Sequence, residues 1–144
     1  MAKTESQGVS GGVRGLLRLE GAALLAAALM LYAQAGAGWT LFLILFLVSD
    51  LSFAFYLFGA RIGAFAYNTM HSTIGPFLLV LASQMDISKF GLVRMPQLFA
   101  IALVWFAHVG FDRALGYGLK YAAGFGDTHL GAIGKRLHEA TEPA

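Results

Sequence analysis

Four apolar stretches, each near bilayer-crossing length, constrain this chain more than any other feature. They run at about 19–35, 38–60, 66–84 and 96–116. A hydrocarbon core about 30 Å thick takes roughly 20 helical residues. The expected fold is therefore all-α, an integral membrane four-helix transmembrane bundle. The turns between stretches are short enough to make neighbouring helices antiparallel. Composition agrees, with 58% hydrophobic and only 12% charged residues, where soluble domains carry about 25% charge. Mean hydropathy is +0.68. Eighteen glycines suit close helix approach in a membrane. The 144 residues suffice for one domain. Residues 1–15 read as a flexible cytoplasmic tail, 16–120 as the four-span domain and 121–144 as a cytoplasmic C-terminal segment.

Other function classes fall away on composition. A formal charge of +2, with no basic run interleaved with aromatics, points away from nucleic acid. With no cysteines, disulfides, thiolate metal sites and iron–sulfur clusters are excluded. Ala33-Gln34-Ala35 has the look of a signal-peptide cleavage site, but Glu20 at the head of the apolar run argues for a retained first span.

Basic residues set the orientation. Lys3, Arg14, Arg18, Arg61, Arg113, Lys120, Lys135 and Arg136 fall on the side of the N-terminal tail; Lys89 and Arg94, offset by Asp86, fall opposite. Both termini are expected in the cytoplasm.

The ionisable residues inside the spans gather toward that same side. At about 1.5 Å per residue, Asp50 lies about 15 Å in, His71 roughly 8 Å and His108 roughly 10 Å, with Asp112 nearer the surface. His108 and Asp112, four apart, share a helix face. Tyr67, Asn68, His71 and Ser72 make a polar stripe on the third span. The Gly75-Pro76 pair there should free the carbonyl of Ser72. Charges within a span are costly and usually face the bundle interior or water. Hydrogen bonds that merely hold the bundle together are the plainer alternative. Glu20 could join the set or simply stabilise its helix N-terminus or pair with Arg18. His129 is a further candidate, and His138 reads as solvated.

Histidines and carboxylates on separate helices are the donor set of a hard or borderline metal. His71, His108 and Asp112 are the expected ligands of a divalent Zn, Mn or Fe ion. Asp50 is the fourth ligand or a general base. Arg113, Lys120 and Lys135 could hold a phosphate or carboxylate headgroup, or simply snorkel.

The segments LLRLEG (16–21), SDLSF (49–53), YNTMHS (67–72) and AHVGFDRALGYGLKYAAGFGDTHLGAIG (107–134) resemble a small bacterial integral-membrane family, domain of unknown function 4260. The resemblance covers about 14–134, and its most specific part is HxGxDRxLGYGLKYxxGFxxTHLGxIG. It points to Glu20, Asp50, Tyr67, Asn68, His71, His108, Asp112, Arg113, Tyr117, Lys120, Tyr121, Thr128 and His129. It implies a place in the bacterial cytoplasmic (inner) membrane, and it names no reaction. At a looser level the membrane histidines and aspartates are similar to intramembrane hydrolases of the alkaline ceramidase and adiponectin-receptor kind, which have seven spans and another motif order.

The leading expectation is a metal-dependent membrane enzyme acting on a lipid or amphipathic substrate from the cytoplasmic leaflet. A small proton- or ion-coupled transporter or channel stands next. Behind it comes b-type haem electron transfer, with His71 and His108 as axial ligands, and then an accessory membrane subunit. A homo-oligomer is expected, because four spans enclose only a narrow cavity.

Overall fold

The computed structural model of the chain describes residues 8–84, 96–123 and 125–133. The expectations for Lys3, Asp86, Lys89, Arg94, Lys135, Arg136 and His138 lie outside the described residues.

The architecture is helical. Helix α1 (Gly11–Ala35) is followed by α2 (Trp39–Val48), which tightens without a break into a 3₁₀ helix, Ser49–Phe58. The chain turns at Gly59 into α3 (Ala60–His71), and then come α4 (Ile74–Gln84) and α5 (Pro96–Leu115). A two-residue antiparallel hairpin, β1 (Asp127–Thr128) and β2 (Gly131–Ala132), closes the described chain. Among the described residues three helices, α1, Trp39–Phe58 and α5, are long and apolar enough to cross a membrane. Outward faces are oily: Leu57 and Phe58 at the end of Trp39–Phe58 are 87% and 70% exposed, and Phe65 on α3 is 75% exposed, as side chains in contact with lipid would be.

Two expectations need correcting. The first helix begins at Gly11, inside the stretch read as tail. The third stretch is two helices, because Ser72 is extended (φ −84°, ψ 149°) and the chain restarts at Ile74. Pro76 therefore sits in the first turn of α4, where its missing N–H has no intrahelical partner to lose. The Ser72 carbonyl is not freed inside a helix. Instead the Ser72 hydroxyl accepts the Ile74 N–H at 3.0 Å, a local cap for the restart. The carbonyl of Met70, just before the break, accepts the Trp105 indole N–H. Gly75 makes room for that ring, since a Cβ there would lie 2.3 Å from Trp105.

The most extensive helix–helix contact is α1 against α5, and glycine lets the two backbones approach. A Cβ at Gly21 would lie 2.6 Å from the Arg113 Cβ and 2.7 Å from the Ala114 nitrogen. On the other helix, a Cβ at Gly110 would lie 2.8 Å from the Gly21 carbonyl oxygen. Bare backbones thus meet, as small residues permit in membrane helices. Below this contact Ala28, Tyr32, Phe42, Leu103 and Val104 form the apolar core, with the Tyr32 hydroxyl donating to the Gly38 carbonyl at 2.8 Å. At the other end the Val9 N–H donates to the His129 carbonyl at 2.9 Å, so the start and end of the described chain share one end of the bundle.

Gly21→Val should cost about 1–3 kcal/mol through overpacking and lower the melting temperature of the detergent-solubilised protein. Gly15→Ala, on the same helix with no atom within 4 Å of the added carbon, should leave it unchanged or slightly raised.

Candidate metal centre

Three separate elements deliver four side chains to one point. The 3₁₀ helix carries Asp50, α3 ends on His71, and α5 presents His108 and Asp112 one turn apart. Because α3 starts at Ala60 rather than 66, His71 is about 9 Å deeper than its apolar stretch implied, level with Asp50. The Nε2 atoms of His71 and His108 are 3.0 Å apart. Asp50 Oδ1 lies 3.8 Å from His71 Nε2 and 3.5 Å from His108 Nε2. Asp112 Oδ2 lies 3.3 Å and 4.0 Å from the same two nitrogens.

These separations suit a single small ion. With bonds of about 2.0–2.1 Å, donors at tetrahedral angles stand about 3.3–3.4 Å apart; the five distances bracket that value. The surroundings also hold His71 in a ligating form, while the buried His108 Nδ1 has no hydrogen-bond partner among the described residues. His71 Nδ1 lies 2.9 Å from the Tyr67 carbonyl, which can only accept, so Nδ1 carries the proton and Nε2 offers its lone pair. The Tyr67 ring stacks on His71 at 3.7 Å with 13° between planes, and its hydroxyl donates to Asp112 Oδ2 at 3.1 Å. Phe46 closes edge-on over His108 at 4.9 Å. Both imidazoles are buried, and Asp112 is 14% exposed against 43% for Asp50. Asp112 is thus the fixed carboxylate and Asp50 the accessible one.

A cavity of about 360 Å³ opens above the two carboxylates, walled by Phe53, Phe111, Leu115, Tyr117, Lys120 and Phe125 among others. Lys120, only 4% exposed, is held at its backbone by Asn68. The Asn68 side chain accepts the Lys120 N–H at 2.7 Å and donates to its carbonyl at 2.8 Å. The Lys120 ammonium donates to the Phe125 carbonyl at 3.0 Å and lies 3.3 Å from the centre of the Phe125 ring. Burial lowers its pKa to about 8, against the opposing pull of Asp112.

The remaining candidates stand apart. Glu20 is exposed on α1, where its charge acts on Arg113. Arg18, expected as its partner, donates instead to the Ala114 carbonyl at 2.8 Å. His129 is structural: its Nδ1 accepts the Leu119 N–H at 2.8 Å, tying the hairpin to the chain leaving α5, and burial lowers its pKa. Thr128 is fully buried and donates to the Gly131 carbonyl at 2.7 Å. Tyr121 is exposed. Ser72 leaves the expected polar stripe because it lies in the break. Phe125 and Trp105 were missed, and no local pattern marks either one.

A family model described as Domain of unknown function (DUF4260) matches residues 14–133. The chain belongs to the DUF4260 family. All four clustered side chains and Lys120 lie within the DUF4260 match. No curated protein and no solved structure matches the chain.

Elemental analysis of protein purified without chelators should find near-stoichiometric zinc, manganese or iron, absent from a folded His108→Ala variant. Tyr67→Phe should keep the ion but hold it about 10–100-fold more weakly in competition with a chelator, the usual cost of losing such a supporting hydrogen bond.

Proposed function

We propose that this DUF4260 protein is a metal-dependent membrane enzyme that acts on a lipid or other amphipathic substrate. The observation that carries the reading is the convergence of two imidazole nitrogens and two carboxylate oxygens, 3.0–4.0 Å apart in the five measured pairs, with the two carboxylates lining a cavity walled by aromatic and aliphatic side chains. His71, His108 and Asp112 hold the ion. A divalent ion so held would polarise a carbonyl or phosphoryl oxygen and make a water more acidic. Asp50 faces the cavity and is the more exposed acid, which suits it to take a proton from that water. The apolar outer faces of the helices supply a route for a substrate already dissolved in lipid.

The same proposal includes the topology. The broken pair α3 and α4 makes a crossing of its own, giving four in all, and both chain ends face the cytoplasm. The charge distribution of the tails supports this, as does the Val9–His129 contact that draws the two ends together. The inner membrane of a bacterium is the proposed location, with a homo-oligomer as the working assembly. For the ion itself, the 3.0 Å between the two Nε2 atoms favours a single metal over a haem, whose axial ligands approach from opposite faces of the porphyrin.

Incubating the zinc-loaded protein with a total polar lipid extract should generate products detectable by mass spectrometry. Asp50→Asn should retain metal yet lower turnover by about 100-fold or more, the usual scale of losing a general base. If no product forms, and proteoliposomes show an ion flux that Asp50→Asn abolishes, the protein is a transporter instead.

A further inference from the structure

The walls of the cavity above the cluster are unevenly charged. Two acids line it, Asp50 and Asp112, and both face the cluster of imidazole nitrogens. Among the described residues that line it, Lys120 supplies the one basic side chain. A divalent ion on two carboxylates and two neutral imidazoles leaves that ammonium as the unbalanced charge of the cavity.

Lys120 is built into place. Its backbone N–H and carbonyl are both held by the Asn68 side chain, and the residue is almost wholly buried. An ammonium has three N–H donors, and Lys120 spends one of them on the Phe125 carbonyl. Its remaining surroundings are ring faces, with Tyr67 centred 4.8 Å away and Phe53 5.3 Å away. Among the described residues no carboxylate is ion-paired with its Nζ. A buried cation so placed stays costly until an anion meets it.

We propose that the cavity takes its substrate by a phosphate group seated between the ion and the Lys120 ammonium. The inference rests on the metal-centre reading above. It adds a chemical class: an anionic amphiphile rather than a neutral or cationic one. The apolar part of such a molecule has an exit, since Phe111, Leu115 and Phe125 line the cavity and are 40%, 50% and 53% exposed.

The test uses full-length protein loaded with Mn²⁺, with metal content measured in every sample. Phosphorus-31 relaxation is recorded for inorganic phosphate, and for phosphatidic acid in phosphatidylcholine bicelles. In wild type the bound Mn²⁺ should speed relaxation of the phosphate monoester well above that of phosphatidylcholine. Lys120→Met keeps the aliphatic stem and removes the charge; it should bind the same Mn²⁺ but weaken the phosphate by about tenfold or more, the loss expected for a charge-assisted hydrogen bond. Lys120→Arg should recover part of it. Enhancement for phosphatidic acid alone identifies a lipid headgroup as the source, and enhancement for both admits free phosphate. Full Mn²⁺ occupancy without enhancement in wild type overturns the proposal with no variant needed. Equal enhancement in wild type and a folded Lys120→Met overturns it as well. Failure to bind Mn²⁺ instead sinks the metal reading, and this inference with it.

Discussion

Two imidazole nitrogens 3.0 Å apart in an apolar interior must share something positive, and the rest of the molecule is arranged around that requirement. His71 gives its Nδ1 proton to the Tyr67 carbonyl, so its Nε2 can only receive. On the far side His108 meets it from α5, and two carboxylates close in from α5 and the 3₁₀ helix. None of these positions is independent. His71 reaches the cluster because α3 stops there, and the carbonyl of Met70 left at that stop is taken up by Trp105 on α5. The same helix therefore receives the break and supplies half of the donors. Gly21 and Gly110 then let α1 lie directly on α5 behind the cluster, which anchors the shared helix.

Much of the site was legible in the sequence, for a physical reason. Charges cannot be scattered through lipid-crossing segments without cost, so Asp50, His71, His108 and Asp112 stood out against an apolar background. The i, i+4 spacing on α5 placed two of them on one face. The span Trp39–Phe58 and helix α5 also fell close to the expected bounds. The 3₁₀ geometry of Ser49–Phe58 left no trace, since a segment apolar on every side reads the same whichever hydrogen-bond pattern it adopts. The break at Ser72 was hidden for a different reason: what satisfies it is an indole 35 residues further along. Long-range partners also decide the fates of Glu20, Lys120 and His129. In sequence each is only a polar residue near a span end. In the fold one faces out, one is clamped by Asn68, and one pins a hairpin.

The electrostatics of the cluster narrow what it can hold. Two carboxylates beside two neutral imidazoles carry a charge of about −2 in surroundings that solvate charge poorly. Either two protons or one divalent cation cancels it. Two protons would settle on the carboxylates and leave the imidazoles neutral, the acids then facing the ring nitrogens 3.3–4.0 Å away. One divalent ion would instead lie between the two Nε2 atoms and suit the tautomer that the Tyr67 carbonyl imposes on His71. In either case the Lys120 ammonium is left as the cavity's uncompensated charge, with no carboxylate ion-paired to it among the described residues. The two acids differ in setting: the Tyr67 hydroxyl donates to Asp112, while Asp50 is the more exposed of the two. A cavity that already carries one ammonium on its wall, once a divalent ion balances its two acids, has net positive charge, and an anion is the ligand that such a charge would favour.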